Sequence, residues 1–319
     1  MSAIINRPVI IGTRDSALAL WQTNWVLGRL KELFPEQAFE VKAIKTKGDK
    51  ILDVALAKIG DKGLFTKELE MAMLEGEIDM AVHSLKDMPT TLPEGLVIGA
   101  ICEREDCRDI FISPTGTKIE ELPQGAKVAT SSLRRKSQLW KWRSDLELVD
   151  IRGNLQTRMR KLEEQKLDGL ILAAAGVIRL GWADKITQYI PTDVILPAVG
   201  QGSITIEMRE GDEEIAQVVK PLNHEESSLT IRAERALMRT LEGGCQVPIG
   251  ALGSLQGQGD NRRLVLNGLV ASLDGQKICQ GQEEGNADEP EQIGLRLAER
   301  LLQLGAREIL NEVRQESKQ

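Results

Sequence analysis

The stretch PVIIGTRDSALALWQTNWVLGRLKELF, residues 8–34, introduces a pattern that most of the chain repeats. A short apolar run suited to a buried strand comes first, and a segment with apolar residues at a period near 3.6 follows it. Leu18, Trp21 and Trp25 share one face of the helix that this spacing predicts. Because residues 8–205 keep the same order of strand and helix, the sequence predicts an α/β fold.

Changes in this pattern divide the chain into regions. FEVKAIKT and IDMAVHS are the next predicted strands, and a second α/β region begins near Glu103 with DIFISP, AKVATSS, LELVDI and DGLILAAA. After about residue 220 the pattern predicts a helix and then a hairpin whose turn is Asp274-Gly275. The segment 293–313 reads as one amphipathic helix. These last elements predict a small α+β domain.

Composition limits the possible functions. With 319 residues, 41% of them hydrophobic and 28% charged, the chain is typical of a globular protein with two or three domains. A formal net charge of −7 argues against a nucleic-acid partner. No run of 18 apolar residues predicts a membrane span, and no export signal is recognisable. Four sparse, unpatterned cysteines and the lack of a long apolar seam predict a cytoplasmic monomer.

Arginines follow the ends of several predicted strands. In KVATSSLRRKSQLW, residues 127–140, two adjacent arginines stand where a helix should begin, at the positive end of its dipole, so an anion must offset their repulsion. In open α/β sheets such junctions gather along one crevice. They therefore predict a cleft for a molecule with several negative groups. The arginines of this set are Arg14, Arg134, Arg135, Arg152, Arg158 and Arg179.

Carboxylates are the preferred ligand for this set. A guanidinium group binds a carboxylate through two hydrogen bonds, whereas the glycine-rich motifs that wrap phosphates are missing. For any single arginine, a solvated surface position or a pair with an acid such as Asp15 or Asp150 stays open.

Asp87 and Cys245 are the candidate reactive residues. Asp87 is the only acid in AVHSLKDMPT and could stabilise a cation formed from the substrate or transfer a proton. An Asx turn or a salt bridge with Lys86 is the alternative. Cys245 lies in the glycine-rich loop LEGGCQVPIG, where a thiol could be a nucleophile or an attachment point, or simply a buried cysteine.

The chain has few residues that could support histidine catalysis or metal binding. His83 and His224 are the only histidines, and His83 lies in an apolar run, where a packed and hydrogen-bonded core residue is the usual outcome. Cys102 and Cys107 lack a second cysteine pair at ligand spacing. No metal site is predicted.

Taken together, several segments resemble the porphobilinogen deaminase, or hydroxymethylbilane synthase, family. They include GTRDSALALWQT, AVHSLKDMPT, TSSLRRKSQL, RGNLQTRMRKL and RAERALMRTLEGGCQVPIGA, and they follow the family's order across nearly the whole chain. The resemblance implies two α/β domains like those of periplasmic solute-binding proteins, with a cleft between them, and a small α+β C-terminal domain. The implied boundaries are 1–102 together with about 203–221, then 103–202, and 222–319.

The resemblance also implies a reaction. Four porphobilinogen molecules lose ammonia and join head to tail on a covalent dipyrromethane cofactor, and hydrolysis then releases the linear tetrapyrrole. Cys245 would hold the cofactor through a thioether, and Asp87 would be the catalytic carboxylate. A solute receptor of two domains for a small carboxylate is the alternative, but it would explain neither Cys245 in its loop nor the third domain.

The resemblance assigns the remaining site residues to three groups. Those implied to bind the cofactor are Lys86, Asp87, Thr130, Ser132, Arg134, Arg135 and Arg158. Those implied to bind the substrate carboxylates are Arg14, Ser16, Arg152, Arg158 and Arg179. Those implied to form a lid are Lys58, Lys62 and Phe65.

Overall fold

The computed structural model describes residues 5–50, 63–242, 247–257 and 259–316. The predictions for Lys58, Lys62 and Cys245 fall outside these residues. Within the described residues, no helix combines the length and the apolar character that a membrane span requires.

Helices and strands alternate along most of the chain. The helices are α1 (Ala17–Leu33), α2 (Lys47–Lys50), α3 (Lys67–Leu74), α4 (Leu133–Trp142), α5 (Leu155–Glu164), α6 (Ala174–Arg179), α7 (Glu213–Val219), α8 (Glu225–Thr240), α9 (Pro290–Leu301) and α10 (Arg307–Glu316). The strands are β1 (Val9–Thr13), β2 (Phe39–Ala43), β3 (Met80–Ser84), β4 (Leu96–Ile101), β5 (Asp109–Ile112), β6 (Lys127–Ala129), β7 (Glu147–Val149), β8 (Gly169–Ala173), β9 (Gln188–Tyr189), β10 (Ile204–Arg209), β11 (Ile249–Gln256), β12 (Arg263–Ala271) and β13 (Ile278–Asn286).

The described residues form two compact units. The first unit takes its described residues from 5–50, 63–105 and 202–228, and the second takes its described residues from 106–201 and 229–319. The three-domain division implied by the resemblance stays a prediction.

A five-stranded sheet in the order β2-β1-β3-β10-β4 is the core of the first unit. β1 runs parallel to β2 and β3, whereas β10 lies antiparallel between β3 and β4. Val26 and Leu30 of α1 are fully buried in one apolar cluster with Val9 and Ile11 of β1. The opening segment therefore forms the strand and the helix that its apolar spacing predicts.

The second unit contains a five-stranded sheet in the order β7-β6-β8-β5-β9 and a three-stranded antiparallel sheet, β11-β12-β13. Helices α8 and α9 contribute Leu237 and Leu297 to the apolar cluster that also includes Leu266 of β12. Gly275, with φ +71°, lies between β12 and β13, so the predicted hairpin turn is confirmed. The predicted fold class, α/β with an α+β C-terminal part, is also confirmed.

One helix prediction was wrong. The segment 293–313 is not a single helix, because Gly305 adopts φ +103° and the chain is kinked between α9 and α10. Only glycine adopts this left-handed conformation without steric cost, so the bend is located at that residue.

Candidate functional site

Asp87 lies in a pocket at one edge of the first sheet. It ends a single 3₁₀ turn, Leu85–Asp87, that directly follows β3, and Arg14 follows the neighbouring parallel strand β1. Because both strands run in the same direction, their carboxyl ends bring the two side chains to the same edge. The residues lining the pocket are Arg14, Ser16, Leu18, Ala19, Gln22, Phe65, Thr66, Val82, His83, Ser84 and Asp87.

The carboxylate of Asp87 keeps its oxygen atoms available. No hydrogen bond or ion pair joins it to another residue within the described ranges, so neither the Asx turn nor the salt bridge with Lys86 is found there. The side chain is partly buried and lines the same pocket as the cationic Arg14. A carboxylate in this position can accept hydrogen bonds from a ligand and stabilise a positive charge on it.

Arg14 and Ser16 are held in place by neighbouring groups. The guanidinium carbon of Arg14 lies 4.3 Å from the centroid of the Phe65 ring, a cation–π contact that restricts the plane of the guanidinium group. The Oγ atom of Ser16 accepts a hydrogen bond from the backbone N–H of Ala19 at 3.3 Å and so caps α1.

Buried polar groups lie in this pocket and next to its lining residues. His83 Nε2 lies 3.0 Å from Glu207 Oε2, and both side chains are almost fully buried, so the interpretation of His83 as a packed, hydrogen-bonded residue is confirmed. Burial raises the pKa of the Glu70 carboxyl above its usual range, and the nearby Glu207 raises it further. Gln22 Nε2 donates to Ser84 Oγ at 2.9 Å. The sequence analysis singled out none of Gln22, Glu70, Ser84 and Glu207.

The adjacent arginines of α4 face an anion of the protein itself. Arg134 Nη1 donates to Asp109 Oδ2 at 2.7 Å, and Arg135 Nη2 donates to Asp109 Oδ1 at the same distance. The exposed fractions of the two arginines are only 5% and 6%. The anion that offsets their repulsion is therefore Asp109, which the sequence analysis did not consider. Asp150 pairs instead with Lys136 at 2.9 Å.

The three charges of this buried triad do not cancel. Burial alone would raise the pKa of Asp109, but the two guanidinium groups outweigh it and hold that pKa well below its usual range. Burial lowers the pKa of Arg135, and the Asp109 carboxylate opposes this effect. Two cations and one anion leave a net charge of +1 at the start of α4. The triad can therefore still attract an anionic ligand.

Hydroxyl groups support the same helix start. Ser132 Oγ accepts from the backbone N–H of Arg135 at 3.4 Å and caps α4. Thr130 Oγ1 accepts from the backbone N–H of Ser132 at 3.3 Å. Both hydroxyls thus lie at the amino end of α4, where N–H groups and the helix dipole favour negative charge.

The other predicted arginines of the second unit lie after β7 and β8. Arg158 Nε donates to the carbonyl oxygen of Gly153 at 2.8 Å, which ties α5 to the loop that contains Arg152. Burial lowers the pKa of Arg152 from its ordinary value. Arg179 does not lie at a strand-to-helix junction, because α6 begins directly after β8 and Arg179 is its last residue. There the helix dipole favours a cation.

The structure thus places the predicted residues in two groups. Arg14, Ser16, Phe65 and Asp87 line one pocket of the first unit. Those of the second unit are Thr130, Ser132, Arg134, Arg135, Arg152, Arg158 and Arg179. Across the described ranges, no group of three His, Cys, Asp or Glu side chains is arranged to hold a metal ion.

Comparison with known protein families gives two matches. Residues 9–217 match "Porphobilinogen deaminase, dipyromethane cofactor binding domain", and residues 228–303 match "Porphobilinogen deaminase, C-terminal domain".

Individual proteins are similar to this chain over nearly its whole length. The chain is 58% identical over 313 residues to the porphobilinogen deaminase of Carboxydothermus hydrogenoformans, covering 98% of this chain and 99% of that protein. It is 58% identical over 314 residues to the porphobilinogen deaminase of Pelotomaculum thermopropionicum, with the same coverage. The periplasmic VFT2 domain of BvgS from Bordetella pertussis aligns at 14% identity with a TM-score of 0.39, covering 68% of this chain and 86% of that one.

Proposed function

The chain belongs to the porphobilinogen deaminase family, and we propose that Asp87, Cys245 and the cationic side chains described above carry out that family's reaction. The protein is a hydroxymethylbilane synthase of porphyrin biosynthesis. It joins four porphobilinogen molecules head to tail on a dipyrromethane cofactor and releases the linear tetrapyrrole by hydrolysis. The family match over residues 9–217 and 228–303 carries this conclusion, and a solute receptor is not favoured.

The donor set fits a dipyrromethane cofactor, because such a group bears acetate and propionate carboxylates. The positive triad at α4, with hydroxyl groups beside it, offers the donors that carboxylates require. Cys245 would hold the cofactor through a thioether. When bound, the cofactor supplies the pyrrole carbon to which the first substrate unit is joined. The residues proposed to hold it are Lys86, Asp87, Thr130, Ser132, Arg134, Arg135 and Arg158.

Asp87 is proposed as the catalytic carboxylate. In each condensation the carbon–nitrogen bond of the aminomethyl group breaks and ammonia leaves. A carbon–carbon bond then forms to the free α-carbon of the preceding pyrrole, and that carbon loses its hydrogen as a proton. The carboxylate oxygens of Asp87 have no hydrogen-bond partner among the described residues, so they can accept pyrrole N–H groups, stabilise the cation left by ammonia and receive the proton.

The substrate carboxylates are assigned to Arg14, Ser16, Arg152, Arg158 and Arg179. Arg14 supports this assignment because it shares the pocket of Asp87 and its guanidinium plane is restrained by Phe65. A restrained guanidinium loses less conformational freedom when it binds a carboxylate through two hydrogen bonds. Phe65 also covers one face of the pocket cation, which limits access of water there.

Replacing Cys245 with Ser tests the attachment point. Intact-mass measurement of the wild-type chain is expected to show an excess equal to two linked pyrrole units, and the C245S variant is expected to lose it. Cys279→Ser is the matched control, because this partly buried thiol belongs to the same segment and should leave the adduct unchanged. An adduct retained in C245S, or absent from wild-type protein made in a pyrrole-producing host, contradicts the assignment.

A cytoplasmic monomer is proposed for the assembly state and location. Four cysteines that are sparse and show no regular spacing in a chain of 319 residues fit a reducing compartment. Sedimentation equilibrium is expected to give one species near 35.2 kDa. A mass near twice that value at micromolar concentration would exclude the monomer.

A further inference from the structure

Residues 196–201, here called the strap, connect β9 to the first unit without regular secondary structure. Leu196 of the strap is hydrogen bonded to two residues of α4. Arg134 Nη1 donates to the carbonyl oxygen of Leu196 at 2.7 Å, and the backbone N–H of Leu196 donates to Gln138 Oε1 at 2.8 Å. One end of the strap is therefore bound to the helix that carries the arginine pair.

The other end of the strap reaches the buried carboxylate of the arginine triad. Gln201 Nε2 donates to Asp109 Oδ1 at 3.0 Å and to the carbonyl oxygen of Cys107 at 2.8 Å. The same Oδ1 atom accepts from Arg135 Nε at 2.9 Å. Gln201 is 1% exposed, so its amide is held in a fixed position next to the triad.

Residues of the C-terminal segment also contact the strap. Glu234 of α8 is completely buried, and its two carboxylate oxygens accept from the backbone N–H groups of Gly200 and Gly253 at 2.8 and 2.9 Å. The backbone N–H of Ala251 donates to the carbonyl oxygen of Pro197 at 3.0 Å. One carboxylate thus joins the strap to β11.

A close backbone approach explains Gly250 in β11. A Cβ atom at that position would lie 2.9 Å from the carbonyl oxygen of Leu196. The strap is therefore in direct contact with both α8 and β11, the two elements that precede and follow Cys245 in the chain.

We propose that Gln201 and Glu234 are positioning residues for the arginine pair, acting through the strap. Glu234 fixes the strap against α8 and β11. The amide of Gln201 donates a further hydrogen bond to the carboxylate of Asp109, which orients both guanidinium groups. The inference rests on the proposed function, because the pair is proposed there to hold the cofactor carboxylates. It adds that the C-terminal segment, through its contacts with the strap, determines the position of Arg134 and Arg135.

Two variants test this route in the full-length protein that carries its cofactor. Gln201→Leu keeps the side-chain size and removes the N–H donor to Asp109. Glu234→Gln keeps the shape, but its amide can no longer accept from both Gly200 and Gly253. The probe is porphobilinogen in limiting amount, and intact mass reports how fast each adduct-bearing chain gains substrate units. Gln188→Leu is the control, because Gln188 belongs to the same unit but hydrogen bonds to Glu120.

Both variants are expected to keep the adduct and extend it at least about tenfold more slowly than wild type, because a displaced guanidinium misplaces the reacting carbon. The loss should fall on kcat with KM for porphobilinogen nearly unchanged, since neither residue belongs to the substrate set. A variant that loses the adduct while keeping the wild-type melting temperature also supports the proposal.

Wild-type extension rates in a folded Q201L or E234Q variant would overturn the proposal. If one variant fails to fold, the extension rate of the other tests the proposal, because the two substitutions lie at different contacts of the strap. A wild-type protein without adduct or extension would instead disprove the proposed function itself, so the two failures are distinguishable.

Discussion

An Asp87→Asn variant is expected to bind porphobilinogen but condense it about 10³-fold more slowly than wild type. Asn keeps the size of the side chain and one acceptor oxygen, but it carries no charge and cannot take up the proton. In the pocket it would leave the cation formed by loss of ammonia without its counter-charge, beside the positive Arg14. Steady-state kinetics should show the loss in kcat.

Two further variants make the Asp87 result specific. Asp87→Glu keeps the charge but shifts the carboxylate by one methylene group, and it should retain more activity than the Asn variant. Asp15→Asn removes an exposed carboxylate that follows β1, between Arg14 and Ser16 but outside the pocket lining, and should behave like wild type. Turnover by D87N close to the wild-type rate would remove Asp87 from the mechanism.

The second large effect is expected at Asp109. Replacing this residue with Asn should lower the free energy of unfolding by about 3–5 kcal/mol, because it leaves two buried guanidinium groups without an anion. Urea unfolding at pH 7 measures the difference. Asp106→Asn is the control, because Asp106 pairs with Arg108, whose side chain is 43% exposed, and the loss of this pair should cost much less.

The pH dependence provides an independent check on Asp109. Its pKa in the folded protein lies below the unfolded value of about 3.9, so the unfolded state binds more protons when the pH falls. The stabilisation is therefore fully present above about pH 4 and decreases as the pH drops below it. The stability gap between wild type and D109N should narrow in that range. A constant gap would show that the charge of Asp109 is not the cause.

Sequence periodicity was sufficient for the fold class. Apolar spacing predicted β1 and α1, and the Asp274-Gly275 signal predicted the hairpin, because both depend on local residues. Arg14 and Asp87 were recognised as site candidates from their positions after predicted strands. Their shared pocket follows from the parallel pairing of β1 and β3.

Tertiary contacts account for what the sequence analysis missed. Asp109 begins β5, whose four residues are all buried. In the sequence, an acidic residue at the start of an apolar run was the only indication that Asp109 needs a cationic partner. The start of α6 could not be located because its N-cap is Ala173, which provides no side-chain cap, and alanine suits both strand end and helix. Gly305 escaped notice because the apolar period continues on both sides of the kink.

The place of β10 in the first sheet has a consequence for biosynthesis. Within the described sheet, β4 pairs only with β10, and β10 begins at Ile204. A nascent chain that ends before this residue leaves β4 without a neighbour, whereas the strands of the five-stranded sheet in the second unit, β5 to β9, are all complete at Tyr189. During translation, all five strands of the sheet β7-β6-β8-β5-β9 are therefore synthesised before β10 can complete the sheet of the first unit.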